Sequence, residues 1–525
     1  MKLENKEFGF DNFAAEMAKL KNDKHFDYLI TIIGEDFGPE EGLGCIYILE
    51  NTDSHERVSV KQMAKKVGET DYVIPSVLKL WHDADLLERE VYDFFGIKFL
   101  GHPDMRRLFM RSDFQGWPLR KDFDMSPEKN QFPMTDEPET DWTSEWNLND
   151  CGDLVETKHR LLDDDDFVIN FGPNHPSTHG VLRLRTVVDG ETIKHIYPHL
   201  GYIHRGMEKM MESMTYPQTL ALTDRLNYLC AMHHRHALVG VIEEAMGIEL
   251  SDRIRYIRTI MDELQRIDSH LLFYSCLVMD MGGLTPFFYG FREREMILDI
   301  FEETTGGRLI QNYNMIGGVQ ADIHPTFQQK VKDFIKHLRS VIQDYHDIFT
   351  SNVIADTRLK GVGVLSKEDA ISLGCTGGTG RASGWANDVR KHHPYALYDK
   401  VDFKEIVYTE GDSFARYMVR MDEIMESCHI IEQLIDNIPE GEFRAKTKPI
   451  IKLPEGVFTS SVETSRGEFD VILESHGDKV PYRLHYRSTG LPLVHAMDTV
   501  CRGAKIADLI AIGGTLDFVI PDIDR

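Results

Sequence analysis

An α+β fold is predicted for this chain by three observations. Strand-like runs lie towards both ends, at 27–33, 44–49, 181–188, 471–474 and 482–487. Between them, apolar residues recur at helical spacing through several long windows. The 525 residues are 42% hydrophobic and 28% charged, the balance of a packed protein with enough length for two to four domains.

Residues 1–123 form a first α+β unit. The strands 27–33 and 44–49 are followed by a polar, helix-like turn region at 61–67. A helix over 84–95 has apolar residues at helical spacing, and Gly96 stops it. Its most distinctive words are Glu88-Arg89-Glu90-Val91-Tyr92-Asp93-Phe94-Phe95 and Gly101-His102-Pro103-Asp104-Met105-Arg106-Arg107. Acids alternating with arginines around aromatic residues read as a charge-paired docking surface for a partner rather than as a catalytic cluster.

Residues 124–160 change character. Pro127, Pro133 and Pro138, many acids and few aliphatic residues predict a linker that lies along a partner, because such a stretch buries too little apolar surface to fold alone. The run Asp163-Asp164-Asp165-Asp166 closes the acidic region.

From 161 to 525 the chain reads as a second domain, organised around a hairpin at 168–185. An apolar strand enters a Gly172-Pro173 turn, His175 and His179 flank Pro176-Ser177-Thr178, and Gly180 releases the chain into an alternating strand. A rigid turn presents imidazoles to a cavity at little ordering cost, and imidazole exchanges protons near neutral pH. A zinc site is discounted, since a proline-bearing loop lacks the helical His-Glu-x-x-His face.

Helices are then expected through Met214, over 223–245, and from a cap at Ser251-Asp252. The last carries Ile254, Ile257, Met261, Leu264 and Ile267 as one apolar stripe, with Asp280 beyond it. Further helices at 293–304, 326–349 and 417–437 make the middle a helical bundle. The run Gly374 to Gly384 tempts a nucleotide-loop reading but has no Gly-Lys-Ser/Thr, so it is read as a turn allowing close backbone packing. Two strands and a helix over 496–512 form a β-rich end.

Composition excludes some functions. A net charge of −27 repels nucleic acid phosphates and anionic membrane faces. No run of 18 uncharged apolar residues occurs and the N-terminus has no apolar signal core, so a soluble chain held to a membrane through partners is expected. The seven cysteines include no Cys-x-x-Cys, which removes the usual basis for a zinc ribbon or iron–sulfur ligation; reduced, buried thiols and no bound metal are expected.

The run from Asn170 to Leu184 resembles the signature of the D subunit of respiratory NADH-quinone oxidoreductase, complex I, a relative of nickel–iron hydrogenase large subunits. The segments Gly201–Lys209, Thr223–Tyr228, Gly374–Tyr395 and Asp517–Arg525 extend the resemblance to the end of the sequence. The words at 88–108 and 116–123 resemble the C subunit of the same complex. The two therefore look fused, with the C-like domain at 1–123, the acidic linker at 124–160 and the D-like domain at 161–525. The resemblance implies a hydrogenase-large-subunit-like fold with β-rich ends around a central helical bundle.

It also implies a function: the pocket, formed with the B subunit of the complex, in which quinone is reduced by the terminal 4Fe-4S cluster that this partner holds. No cofactor is then bound by this chain itself. Carried over, His179 and Tyr228 match the pair that hydrogen-bonds the quinone carbonyls, and Asp280 matches the acid beside that histidine. His175 and Arg205 fall near the partner's cluster. The B, I and H subunits are implied as partners, on the cytoplasmic face of the inner membrane. The chemistry suits the residues, because two-electron reduction of a quinone leaves two oxygens that need protons.

Asn227 stands where the family has an acid, and Ile310 and Met315 stand where it has histidine and arginine. The hydrogenase cysteine pairs are absent. Two rivals are a non-catalytic scaffold and a quinone reductase fed by ferredoxin; a degenerate scaffold has no need to keep the histidine, tyrosine and acid together.

Overall fold

Two aliphatic runs, Tyr28–Asp36 and Leu43–Glu50, pair antiparallel as the inner strands of an N-terminal sheet, completed by Arg57–Met63 and the edge strand Asn5–Glu7. The structure is a computed structural model describing residues 2, 5–126, 141–175, 178 and 180–525. Helix Ala84–Phe95 packs Val91 and Phe95 onto the strands where Gly34 leaves room. Gly96, at φ 71°, ends that helix, and a side chain there would strike the Trp117 ring at 2.4 Å.

Three expectations need correction here. Residues 61–67 are extended, in Arg57–Met63 and Lys65–Val67; lysines suit strand edges, where the side chain reaches water while the backbone pairs. The words at 88–107 point inward, not outward. Glu88, Arg89, Glu90 and Asp93 are buried, and Asp93 accepts from the backbone of Leu108, Phe109 and Met110 and from Arg107. They brace this chain's own interior.

The acid-rich stretch also folds in part. Trp142–Leu148 and Leu154–Arg160 form a hairpin that extends the sheet Lys65–Val67, Asp71–Pro75, Ile97–Leu100. Asn149 shapes its turn, its Oδ1 accepting from Cys151 N and Asp153 N. The outer strand is almost wholly exposed, so a low apolar content is no obstacle to pairing. Residues 127–140 of the expected linker lie outside the described residues.

In the larger part, Phe167–Phe171 pairs with Arg183–Asp189 as the expected hairpin, and Thr192–His199 adds a third strand. The bundle contains Ala231–Met246, Asp252–Asp280, Leu284–Thr305, Phe327–Tyr345 and Ser413–Leu434. Ser251 caps the longest helix by accepting from Ile254 N, and its apolar stripe is fully buried. The helix expected over 223–245 is interrupted: Tyr216–Thr223 ends, 224–230 is non-helical, and Ala231–Met246 begins.

Strands Gly456–Thr464, Gly467–Ser475 and Arg483–Arg487 close the body. The single helix expected over 496–512 is two, Gly490–Cys501 and Asp508–Leu516, parted at Gly503 with φ 81°. Five cysteines are buried, Cys276 is half-buried and Cys151 is exposed; all seven thiols are free.

The N-terminal unit and the body share one apolar cluster. Along their seam Arg57 bridges Glu50 at 2.6 Å to Glu468, Thr31 meets His485 at 3.0 Å, and Tyr482 donates to Asp36 O at 2.6 Å.

Candidate functional site

The interrupted helix is what presents Tyr228. Asn227 and Leu229 turn inward, with Leu229 N donating to Asn227 Oδ1, and Asp224 is locked to Arg235 at 2.9 Å. Cys230 meets Ser465 Oγ at 2.9 Å. Between these anchors the Tyr228 ring faces outward, 36% exposed. A continuous helix would fix its direction by the 3.6-residue repeat instead.

Within electrostatic range of the phenol lies Arg466, a fully buried guanidinium. It donates to Asp517 Oδ1 at 2.9 Å, to Asp517 O at 2.8 Å and to Ser269 Oγ at 2.8 Å. Burial works against its charge, and Asp517, Cys230 and Tyr228 together more than restore it. Arg420 approaches the other Asp517 oxygen at 3.5 Å.

Asp280 ends the long helix, half-buried, with its carboxylate beside Gly514 of the helix Asp508–Leu516. One turn earlier, burial pushes the Cys276 thiol up to about 11, with Asp517 and Asp280 both adding to the shift. Tyr228 thus acts on Arg466, and Asp280 and Asp517 both act on Cys276.

The histidine loop is partly described. Thr178 Oγ1 is hydrogen-bonded to the carbonyls of His175 and Gly180 at 2.7 and 2.8 Å, and the Phe171 ring meets His175 edge-on at 6.2 Å. At Gly180 a Cβ would come within 2.6 Å of Ile520, so the loop packs tightly on the helix Ile520–Ile523. His179 lies outside the described residues.

Arg205 is exposed on the turn before Met207–Met211, at the seam. Its neighbour His204 stacks on Phe94 and Phe109 at 5.4 and 5.8 Å, and burial lowers that imidazole to about 4, leaving it neutral. Asp524 clamps the turn by accepting from Gly201 N and Ile203 N, at 2.8 and 3.1 Å. Met315 takes an Arg235 N–H on its sulfur at 3.0 Å.

Sequence reasoning did not single out Arg466, Arg420 or Asp517 as site residues. The one available signal was an arginine inside segments otherwise expected to be core. Among the described residues, no group of three or more His, Cys, Asp or Glu side chains could hold a metal ion, and no helix is long and apolar enough to cross a membrane.

The family model described as "Respiratory-chain NADH dehydrogenase, 30 Kd subunit" matches residues 10–129, and that of the 49 Kd subunit matches 280–455 and 448–525. The NADH-quinone oxidoreductase C/D subunit of Bacteroides fragilis is 64% identical over 520 residues, 97% of each chain. The chain belongs to the family of NADH-quinone oxidoreductase C/D subunits. It is therefore one component of a multi-subunit oxidoreductase of the respiratory chain. The C/D architecture extends to an Aquifex aeolicus relative of the same name, 37% identical over 91% of this chain and 88% of that one. The body alone aligns with the NADH-quinone oxidoreductase D subunit of Desulfotalea psychrophila, 46% identical over 70% of this chain and all of that one. A chain of the archaeal membrane-bound sulfane sulfur reductase shares its fold, with a TM-score of 0.67 and 32% identity over 69% of this chain and all of that one.

Proposed function

We propose that this C/D chain forms, with a partner subunit holding an iron–sulfur cluster, the pocket in which quinone accepts two electrons and two protons. The observation that carries this is the outward-facing Tyr228 phenol within electrostatic range of buried Arg466, which is paired with Asp517, while Asp517 and Asp280 both act on Cys276. Electrons enter from the partner's cluster; this chain's residues orient the ring and manage protons. Tyr228 donates to one quinone oxygen and His179, by resemblance, to the other. Arg466 supplies positive charge near the phenol oxygen, where negative charge develops once the proton has left. Asp280, by resemblance the acid that partners His179, stabilises the protonated form of that imidazole.

The likeness to the sulfane sulfur reductase favours a second reading, in which the same body serves another electron donor or acceptor. Replacing His179→Ala and Tyr228→Phe separates the readings. Each is expected to cut quinone reduction by about a hundredfold while reduction of an artificial acceptor upstream is spared. Near-normal quinone turnover by both variants, in an assembled complex, would overturn the proposal.

A further inference from the structure

A chain of buried ionisable groups crosses the bundle behind the site. At the seam, Glu50 accepts from His55 and His393, both at 3.1 Å, and His55 stacks on His392 at 3.5 Å. The side chains of His55, His392 and His393 are 19, 22 and 29% exposed, so the cluster reaches water. His392 in turn stands 3.8 Å from the Glu405 carboxylate, just beyond hydrogen-bond reach.

Deeper in, Arg381 holds two buried carboxylates, Glu463 at 2.8 Å and Glu423 at 2.6 Å. Glu423 accepts a 2.9 Å hydrogen bond from His270 Nε2. Ser269, the next residue, is bonded to Arg466, and Arg420 joins this region to Asp517. The trail therefore begins at solvent and ends at the Arg466–Asp517 pair.

Unpartnered polar atoms mark the gaps in it. Glu405 Oε1, Asn387 Nδ2, His270 Nδ1 and Asp517 Oδ2 are buried and make no hydrogen bond to any described residue. Buried polar groups of this kind are ordinarily satisfied by internal water. Two of the unpartnered atoms flank the step from Glu405 inward, and two flank the step from His270 to Asp517.

From this arrangement we infer that Glu405 is the proton-intake carboxyl of a water-bridged relay that runs from the His55–His392–His393 cluster, through Arg381-held Glu463 and then His270, to Asp517 at its pair with Arg466. This rests on the proposed quinone reduction. Quinone plus two electrons, delivered one at a time by the partner's cluster as it is re-reduced, plus two protons gives quinol. Each proton lost by Tyr228 or His179 is replaced by one taken from water at the seam, every carrier accepting on one atom and releasing from another. Carriers must be able to change protonation near neutral pH. Burial pushes Glu405 up to about 7, with Asp388 reinforcing and Arg381 and Arg390 opposing, and burial raises Glu463 likewise. Glu423, held well below its usual range by Arg381 and His270 despite its burial, stays ionised and carries no proton itself; it favours a proton on His270 against the burial that lowers that imidazole.

The charged groups around Glu405 are His392, Asp388, Arg381, Arg390 and Glu423, and none of them changes in the decisive variants. In the whole complex, Glu405→Gln is expected to lower quinone turnover about tenfold, with an unchanged quinone KM and an unchanged rate with an upstream artificial acceptor. Glu405→Asp should retain most activity with a shifted pH profile, and added imidazole should partly restore Glu405→Gln. His392→Asn, nearer the surface, should show a milder form of the same defect if Glu405→Gln fails to assemble. Normal turnover with an unaltered pH profile in Glu405→Gln, or a loss that imidazole leaves untouched and Glu405→Asp shares in full, would overturn the relay. The quinone proposal has its own test in Tyr228→Phe, so failure of one is distinguishable from failure of the other.

Discussion

Arg525 and Glu90 form a buried ion pair across the seam, with Nη2 and Oε1 2.6 Å apart. The same guanidinium donates through Nε to Glu208 at 2.9 Å, and Glu208 also binds Arg483 at 2.7 Å. One side chain thus neutralises carboxylates from both parts of the chain. Arg525→Ala strands buried Glu90 and takes one of two guanidiniums from Glu208, and should cost about 3–5 kcal/mol. Arg525→Lys should rescue little, because an ammonium lacks the planar fork that serves both partners. Thermal unfolding of the purified complex checks both; a loss below about 1 kcal/mol in the alanine variant would show that water enters the seam and screens the acids.

The seam and the connecting segment are predicted to differ in importance. A break between residues 127 and 140 should leave an assembled, active complex, because Arg57, Tyr482 and Arg525 hold the parts together through contacts that need no covalent link. Deleting 142–160 should instead destabilise the N-terminal unit, since it removes two strands of a five-stranded sheet. Co-expression of the two pieces, followed by purification through one of them, reads out both cases. Failure of the pieces to co-purify after the simple break would contradict this.

His495 gives the seam a pH dependence. It sits between Asp85, at 3.4 Å, and Asp83, at 3.9 Å, and although burial opposes its charge these acids raise it to about 9 from 6.5. A folded value above the unfolded one means that the stabilisation is complete below pH 6.5 and is lost as pH climbs through 9. His495→Asn should therefore cost on the order of 3 kcal/mol at pH 6 and progressively less towards pH 10. Melting curves of wild type and variant that run parallel over that range would contradict the pairing.

Gly377 has φ 67°, and a Cβ there would lie 2.4 Å from Arg466 O. Gly377→Ala should displace the Arg466 segment, costing about 2 kcal/mol or more in stability and lowering quinone turnover beyond what the fraction folded explains. A thermal shift together with a turnover assay on the same preparation tests this.

Much of this architecture is legible in the residues alone. Gly96, the Ser251 cap and the hairpin at 168–185 are local signals, and local chemistry decides them. Pairing across distance is not legible. The hairpin at 142–160 borrows its partner from Ile97–Leu100, so its own acidic composition carries no trace of the sheet. Glu88, Arg89 and Glu90 look like surface because burial of charge depends on partners far along the chain, here Arg525 for Glu90. At the site, Tyr228 and Asp280 are reached through resemblance. The break that exposes Tyr228 escapes notice because 223–245 keeps a high apolar content through the non-helical residues.

Gly180 offers no clearance to Ile520, and the helix that holds Ile520 is fixed by Asp522, which takes hydrogen bonds from Thr489 N, Thr489 Oγ1 and Gly490 N. Beyond it, Arg525 grips Glu90. These contacts act as a short stiff lever, with the N-terminal unit at one end and the histidine-bearing loop at the other. The contacts that set Gly180 against Ile520 are thus anchored, through Asp522 and Arg525, to a carboxylate of the N-terminal unit.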